Sequence, residues 1–172
     1  PKFAADKKGM AGRVASSKVL NAVAKNVPWL MGGSADLAPS TKTFMTDEGS
    51  FSSTHYAGRN IHYGIRENAM ASVVNGLCVS KIRGYGSTFF TFSDYAKPGI
   101  RLAALMEIPS LFIFTHDSIG VGEDGPTHQP IEHLAALRSI PGLVTFRPAD
   151  ANEVAECWRF IMKQSHEPAV LV

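Results

Sequence analysis

Ile61-His62-Tyr63-Gly64-Ile65-Arg66-Glu67-Asn68-Ala69-Met70-Ala71-Ser72-Val73-Val74-Asn75-Gly76-Leu77-Cys78-Val79 changes period within one run of chain. Ile61 to Ile65 reads as a short strand. Ala69, Met70, Val73, Val74 and Leu77 then recur at the spacing of one helical face, which predicts a helix from about Arg66 to Val79. Upstream, Val14 to Leu20, Val23 and Val27 mark a helix closed by Pro28, and Trp29 to Gly33 reads as a strand. Downstream, Tyr85 to Phe90 reads as a strand leading to a helix expected to begin near Pro98, because proline is tolerated in a first turn but not in a helix interior. Leu111 to Thr115 leads through a glycine loop, Gly120 to Gly125, to a helix from about Ile131 to Arg138. Leu143 to Phe146 precedes a helix from Asn152 to Lys163. Helices alternating with short, continuously apolar strands imply an α/β fold of three layers: a mostly parallel sheet with helices on both faces.

Ligands of such sheets gather at the carboxyl ends of the strands. The segments to inspect are therefore 34 to 45, 64 to 67, 86 to 97 and 116 to 128. The stretch from Ser34 to Arg59 is long enough to read as a functional or partner-contacting loop rather than a plain connection.

The chain has 172 residues, 45% hydrophobic and 19% charged, the range of one compact domain able to bury a core. Its net charge of +2 is dispersed, so there is no electrostatic footprint for nucleic acid or a membrane surface. Cys78 and Cys157 lie far apart without CxxC spacing, which points to a reducing, cytoplasmic setting. No apolar run reaches bilayer length, and PKFAADKKGMAGR lacks the apolar core of a signal peptide. A start at Pro-Lys-Phe and a stop inside the strand-like PAVLV read as a domain cut from a longer polypeptide.

The densest polar segment runs from Thr115 to Pro130 and holds His116, His128, Asp117, Glu123, Asp124 and three glycines. A solvated surface loop is one reading, although loops after buried strands carry function disproportionately. Gly120, Gly122 and Gly125 match G-x-G-x-x-G, but Glu123 and Asp124 would oppose a pyrophosphate and Pro126 delays the helix that should bind it. A metal site from His116, His128, His133 and Asp124 is a third reading, with histidine spacings of twelve and five that fit no helical ligand pair. The composition favours a fourth, in which His116 and His128 are hydrogen-bond and proton-transfer partners for a polyhydroxylated substrate.

Glu67 falls in the first turn of its helix, where the dipole and free amides favour a carboxylate, so capping electrostatics alone would explain it. In a buried, apolar setting it would instead suit sharing a proton with a heterocyclic nitrogen. Phe89, Phe90, Phe92 and Tyr95 cluster past a strand. Core packing explains Phe90, whereas Phe89, Phe92 and Tyr95, three residues apart, would form a shelf for a flat ring if the turn is helical.

Together these segments resemble the pyrimidine-binding domain of transketolases, from Arg13 to Val172. The resemblance rests on GGSADLAPS at Gly32 to Ser40, YGIRENAM at Tyr63 to Met70, THDSIGVGEDGPTHQPIEHL at Thr115 to Leu134, and RPADANE at Arg147 to Glu153. It implies thiamine diphosphate as cofactor, with Glu67 hydrogen-bonded to N1′ of the aminopyrimidine and favouring the imino tautomer that removes the thiazolium C2 proton. It further implies that Phe92 stacks on the pyrimidine with Phe89 and Tyr95 beside it, and that Asp36 lies near the cofactor and the subunit contact. His116 and Asp124 would hold substrate hydroxyls, His128 would assist proton transfer, and Arg13 and Ser40 would hold the phosphate of a sugar phosphate. The implied reaction moves a two-carbon ketol unit from a ketose phosphate to an aldose phosphate, as in the pentose phosphate pathway, within a homodimer.

Three departures accompany the resemblance. Asn68 stands where the family usually has histidine. Lys97-Pro98-Gly99 replaces a stretch that is usually small and helical. The family also has a domain that binds the diphosphate and Mg2+ through Gly-Asp-Gly and an asparagine some thirty residues on, and a C-terminal domain. Here only Glu123-Asp124-Gly125 with Asn152 imitates that spacing, as a decoy within the substrate loop. The 172 residues are therefore expected to form one pyrimidine-binding domain, inactive without a diphosphate-binding domain on the same or another chain. A non-catalytic interaction module, and a related ketol-transfer enzyme such as a dihydroxyacetone synthase, are the rival readings.

Overall fold

The structure is a computed structural model and describes all residues from Pro1 to Val172. Its elements are α1 (Gly12–Ala24), β1 (Leu30–Ser34), α2 (Ala38–Thr41), β2 (Asn60–His62), α3 (Glu67–Val79), β3 (Arg83–Phe89), α4 (Ser93–Leu105), β4 (Leu111–Thr115), α5 (His133–Arg138), β5 (Val144–Phe146), α6 (Ala151–Lys163) and β6 (Ala169–Leu171). The six strands form one sheet in the order β2-β1-β3-β4-β6-β5. All adjacent pairs are parallel. All carboxyl ends therefore lie along one edge. From β1 the chain steps to β2 on one side, then crosses to β3 on the other, so the crevice at the carboxyl ends of β1 and β3 is the topological switch point. β6, the last strand in sequence, lies between β4 and β5.

The apolar run of β4 shows why both faces are covered. Leu111 and Ile113 join a core with Val19 and Leu20 of α1 and Val154, Trp158 and Ile161 of α6. Phe112 and Phe114 join the opposite core with Met70 and Val74 of α3, Ile100 of α4 and Leu137 of α5. Alternate side chains of one strand thus seed two cores. Trp158 is fully buried and its indole N–H donates to Ser16 Oγ at 2.9 Å, tying α6 to α1. Asp150 starts α6 by accepting from the backbone N–H groups of Asn152 and Glu153. No helix is long and apolar enough to cross a membrane.

Four details differ from the sequence reading. The helix expected near Pro98 begins at Ser93, continuing a 3-10 turn over Phe90–Phe92, with Pro98 inside it. Pro98 is exposed, so the carbonyl its missing N–H would have engaged can be hydrated. On α3 the buried face is Glu67, Met70, Ala71, Val74, Asn75 and Cys78, whereas Ala69 and Val73 point outward. The strand expected over Ile61 to Ile65 is shorter, because Gly64 takes a φ of 68° and turns the chain toward α3. The 34 to 59 loop contains the short helix α2.

α3 and α4 pack closely because residue 99 has no side chain: a Cβ there would lie 2.6 Å from Ala71 Cβ. Asn75 fastens the same contact from within. Its Nδ2 donates to the Gly99 carbonyl at 2.8 Å and its Oδ1 accepts from Ser110 Oγ at 2.8 Å. These contacts fix α3, which carries Glu67, against α4, which follows the aromatic residues.

Candidate active site at the carboxyl edge of the sheet

Glu67 opens α3 and is 8% exposed, and its carboxylate makes no hydrogen bond within the chain. Arg66, just before it, turns back and donates to the Tyr63 carbonyl at 3.2 Å. The carboxylate therefore sits at the positive end of a 13-residue helix with its hydrogen-bonding capacity uncommitted.

The aromatic shelf forms as the helical turn requires. Phe89 and Phe92 stack with centroids 6.0 Å apart and planes 14° from parallel, and Phe92 and Tyr95 follow at 6.3 Å. Phe90 points the other way into the core, at 2% exposure. Phe89 is buried, Phe92 half-buried and Tyr95 exposed, so the shelf runs outward from the sheet. His128 stands edge-on to Phe92 at 5.2 Å and to Phe89 at 6.0 Å, and its Nδ1 lies 2.8 Å from Thr127 Oγ1.

His116 is the first residue past β4 and has a φ of 57°, a left-handed conformation costing on the order of 1–3 kcal/mol in a non-glycine residue. Its ring lies over that of Phe89, with centroids 3.8 Å apart. Nε2 is 3.4 Å from Arg13 Nη1, and Nδ1 is 2.9 Å from Thr115 Oγ1. Arginine can only donate, so Nε2 accepts and Nδ1 carries the proton toward Thr115. The charge balance agrees. Burial and the Arg13 cation, helped by His128, push the His116 pKa below its ordinary value against the pull of Asp124 and Asp117. Arg13 also donates to the Ser40 carbonyl at 3.1 Å, which brings Arg13, Ser40 and His116 together from three elements. Asp36, with a φ of 62°, marks the turn after β1.

A cleft of about 530 Å³ opens between the amino ends of α1 and α6 and the carboxyl end of β4, lined by Arg13, His116, Asp117, Asp124 and Asp150 among others. Glu67 and the three shelf residues do not line it, nor do Asp36, Ser40 and His128. The edge therefore presents two regions, a polar cleft and an aromatic shelf, with His116 touching both.

The glycine loop is not a dinucleotide site. Gly122, with a φ of 78°, kinks the 3-10 stretch Ile119–Asp124, Gly125 closes it with a φ of 79°, and no α-helix begins until His133. The histidine metal site does not form either. The one group of His, Cys, Asp or Glu ligand atoms within 4.8 Å of one another is Asp94, Glu132 and His133, without His116, His128 or Asp124. Asn152, the decoy asparagine, spends its side chain on the backbone of Phe3, at 3.0 Å in both directions.

Three supporting residues were missed in the sequence. Gln129 Nε2 donates to the carbonyls of Ile119 at 3.3 Å and Gly122 at 3.1 Å, lacing the glycine loop. Arg147 donates through Nε to Asp117 Oδ2 at 2.9 Å, pinning the residue after His116. Asp94 accepts from Lys97 and pairs with His133. Each is an ordinary polar residue with at least one partner distant in sequence, and spacing alone could not reveal that partner.

A parallel sheet carrying an acid without a partner in the chain, an aromatic shelf and two histidines along its carboxyl edge defines an α/β domain with its candidate site where such sheets bind ligands. Comparison with known proteins gives the family. The transketolase pyrimidine-binding domain model matches residues 8–172, and the chain belongs to that family. It is 53% identical to the transketolase of Geobacillus stearothermophilus over 166 residues and 50% identical to that of Bacillus subtilis over 164. These matches take in 96% and 95% of this chain, and the chain spans about a quarter, 25%, of the length of each relative. The crystal structure of Campylobacter jejuni transketolase superposes with a TM-score of 0.93 at 48% identity, over 100% of this chain and 26% of that one. The transketolase of Pichia stipitis in complex with sedoheptulose 7-phosphate gives 0.95 at 42%, over 99% and 26%.

Proposed function

We propose that this chain is the pyrimidine-binding domain of a thiamine-diphosphate-dependent transketolase, contributing to transfer of a two-carbon ketol unit between sugar phosphates. The observation that carries this reading is Glu67, a nearly buried carboxylate at a helix start with no partner in its own chain, on the same sheet edge as an aromatic shelf. An aminopyrimidine fits both features: its ring matches the Phe92 and Tyr95 surfaces, and a ring nitrogen gives Glu67 a hydrogen-bond partner. Bound thiamine diphosphate supplies a carbon nucleophile that the protein's side chains lack. Glu67 would hold a proton at the pyrimidine nitrogen, Phe89, Phe92 and Tyr95 would orient the ring and exclude water, and Asp36 would border the cofactor. His116 Nε2, released when Arg13 turns to the substrate phosphate, would accept from a substrate hydroxyl, aided by Asp124, while His128 would move a proton at the reacting carbonyl or hydroxyl. Arg13, beside Ser40, would meet the substrate phosphate.

We assign the diphosphate and its Mg2+ to a diphosphate-binding domain outside these residues, since in the one clustered ligand group Asp94 already pairs with Lys97 and hydrogen-bonds His133. The exposed apolar side chains of α3 and α4 (Val73, Val79, Leu102 and Leu105) support burial against that domain in a homodimer. Two free cysteines support a cytoplasmic location.

The test is ketol transfer from a ketose phosphate by the full-length polypeptide carrying these residues, with and without thiamine diphosphate and Mg2+. Cofactor-dependent transfer is expected there and none from the 172-residue chain alone. Turnover by the isolated chain, or none by the full polypeptide with cofactor, overturns the reading.

A further inference from the structure

The two segments that carry the candidate chemistry are tied together beyond the site by residues with no role in the reading above. After Phe92 the chain enters α4, with Asp94 in its first turn. After His128 it passes Pro130 into α5, whose first residue is His133. His133 Nε2 lies 3.0 Å from Asp94 Oδ2, and the histidine is 5% exposed. Its ring also packs 5.7 Å from that of Phe90, the shelf's inward neighbour. Lys97 Nζ holds the other Asp94 oxygen at 3.0 Å, and Glu132 Oε2 is 3.8 Å from His133 Nδ1.

These groups have the composition of a cation site, yet Lys97 and His133 already engage one Asp94 oxygen each, so the charge is matched without a metal. What the arrangement does provide is geometry. The other ties between loop and shelf are the His116 ring over Phe89 at the β4 end, the ring contacts of His128, and a hydrogen bond from Thr91 Oγ1 to the Thr127 carbonyl at 3.4 Å. Edge-on rings slide against each other at small cost, whereas a charge-assisted hydrogen bond to a buried ring fixes both distance and direction. The segment between His116 and His128 is mostly exposed and carries no side chain in the core, so it depends on its ends. One end is β4. The other is His133.

We propose that Asp94 and His133 are positioning residues whose bond sets the distance between the Phe89–Phe92–Tyr95 shelf and His128. Its catalytic consequence rests on the function proposed above, while its structural consequence does not. A group carried about 1 Å from its working position costs on the order of a hundredfold in rate, so a partial release has a measurable effect.

The test uses the full-length enzyme with Asp94→Ala and Asp94→Asn, the latter keeping an acceptor for the Nε2 hydrogen. Asp94→Ala is expected to lower kcat per cofactor-loaded site by roughly tenfold or more while KM for the ketose phosphate changes by less than about threefold. It should also speed amide exchange in residues 118–130 and leave the central strands protected. Asp94→Asn should restore kcat to within about threefold of the parent. A purely structural role would reduce folded enzyme but not kcat per loaded site. An unchanged kcat and loop exchange in Asp94→Ala, or no recovery in Asp94→Asn, overturns the proposal. If the parent enzyme has no ketol-transfer activity, the functional reading fails and loop exchange alone decides: acceleration upholds the clamp and unchanged exchange overturns it.

Discussion

Replacing Glu67 by glutamine separates a carboxylate that does chemistry from one that steadies a helix. The side chain is 8% exposed at the first position of α3 and has no hydrogen-bond partner in the chain. If it only complements the helix dipole, the neutral amide removes about 0.3–1 kcal/mol. In a domain of this size that corresponds to about 1–4 °C in Tm. Against this, a nearly buried charge with no partner costs free energy to desolvate, and the amide relieves that cost, so the expected net change in stability is close to zero. The effect on reaction is of another order. Glutamine keeps the shape and can hydrogen-bond a ring nitrogen, but it cannot exchange a proton. The expected loss is roughly 10²–10⁴-fold in kcat, about 3–5 kcal/mol of barrier. Urea denaturation of the domain measures the first quantity, and ketol transfer by the full-length enzyme at saturating cofactor measures the second. Activity within about threefold of the parent, or a stability loss above about 2 kcal/mol, refutes the argument.

Further consequences can be measured separately. His116 should titrate below the ordinary histidine range by NMR, and Arg13→Gln should move its midpoint upward by removing a neighbouring cation. Because the folded chain then binds fewer protons at His116 than the unfolded chain does between the two pKa values, this residue's contribution makes stability rise with pH across that window. Gly99→Val, which puts a Cβ 2.6 Å from Ala71 Cβ, should cost roughly 1–3 kcal/mol by urea denaturation and shift the α3–α4 contact. Asn75→Leu strands the buried Ser110 hydroxyl and removes a bond to Gly99, and should cost about 2–4 kcal/mol in the same assay.

Much of the fold was legible because strands such as β4 run apolar from Leu111 to Phe114 and each helix carries its own period. Its boundaries were less so. Pro98 was read as a helix start because propensity sees the missing N–H, but not the 3-10 turn at Phe90–Phe92 that had already begun the helix. Val73 was placed inside because it is apolar, yet it lies exposed beside the buried Val74 and serves a surface rather than the core. The shelf could be foreseen from the three-residue spacing of Phe89, Phe92 and Tyr95. The contact of Arg13 with His116 could not, since 103 residues separate them and only the sheet order brings α1 beside the end of β4. The pairing of Asp94 with His133 escaped as well, since 39 residues separate them and they lie on different helices.

β6 is the last of the six strands in sequence, yet it occupies an interior place in the sheet. β5 pairs with β6 alone, so it has no strand to dock on until Ala169 to Leu171 have been synthesised. Until then the Leu111–Thr115 strand shows an open edge on that side, a row of amide and carbonyl groups able to pair with another chain. A nascent chain interrupted only a few residues short of Leu171 would therefore be an aggregation-prone intermediate rather than a nearly finished sheet, because β4 and β5 both wait on β6.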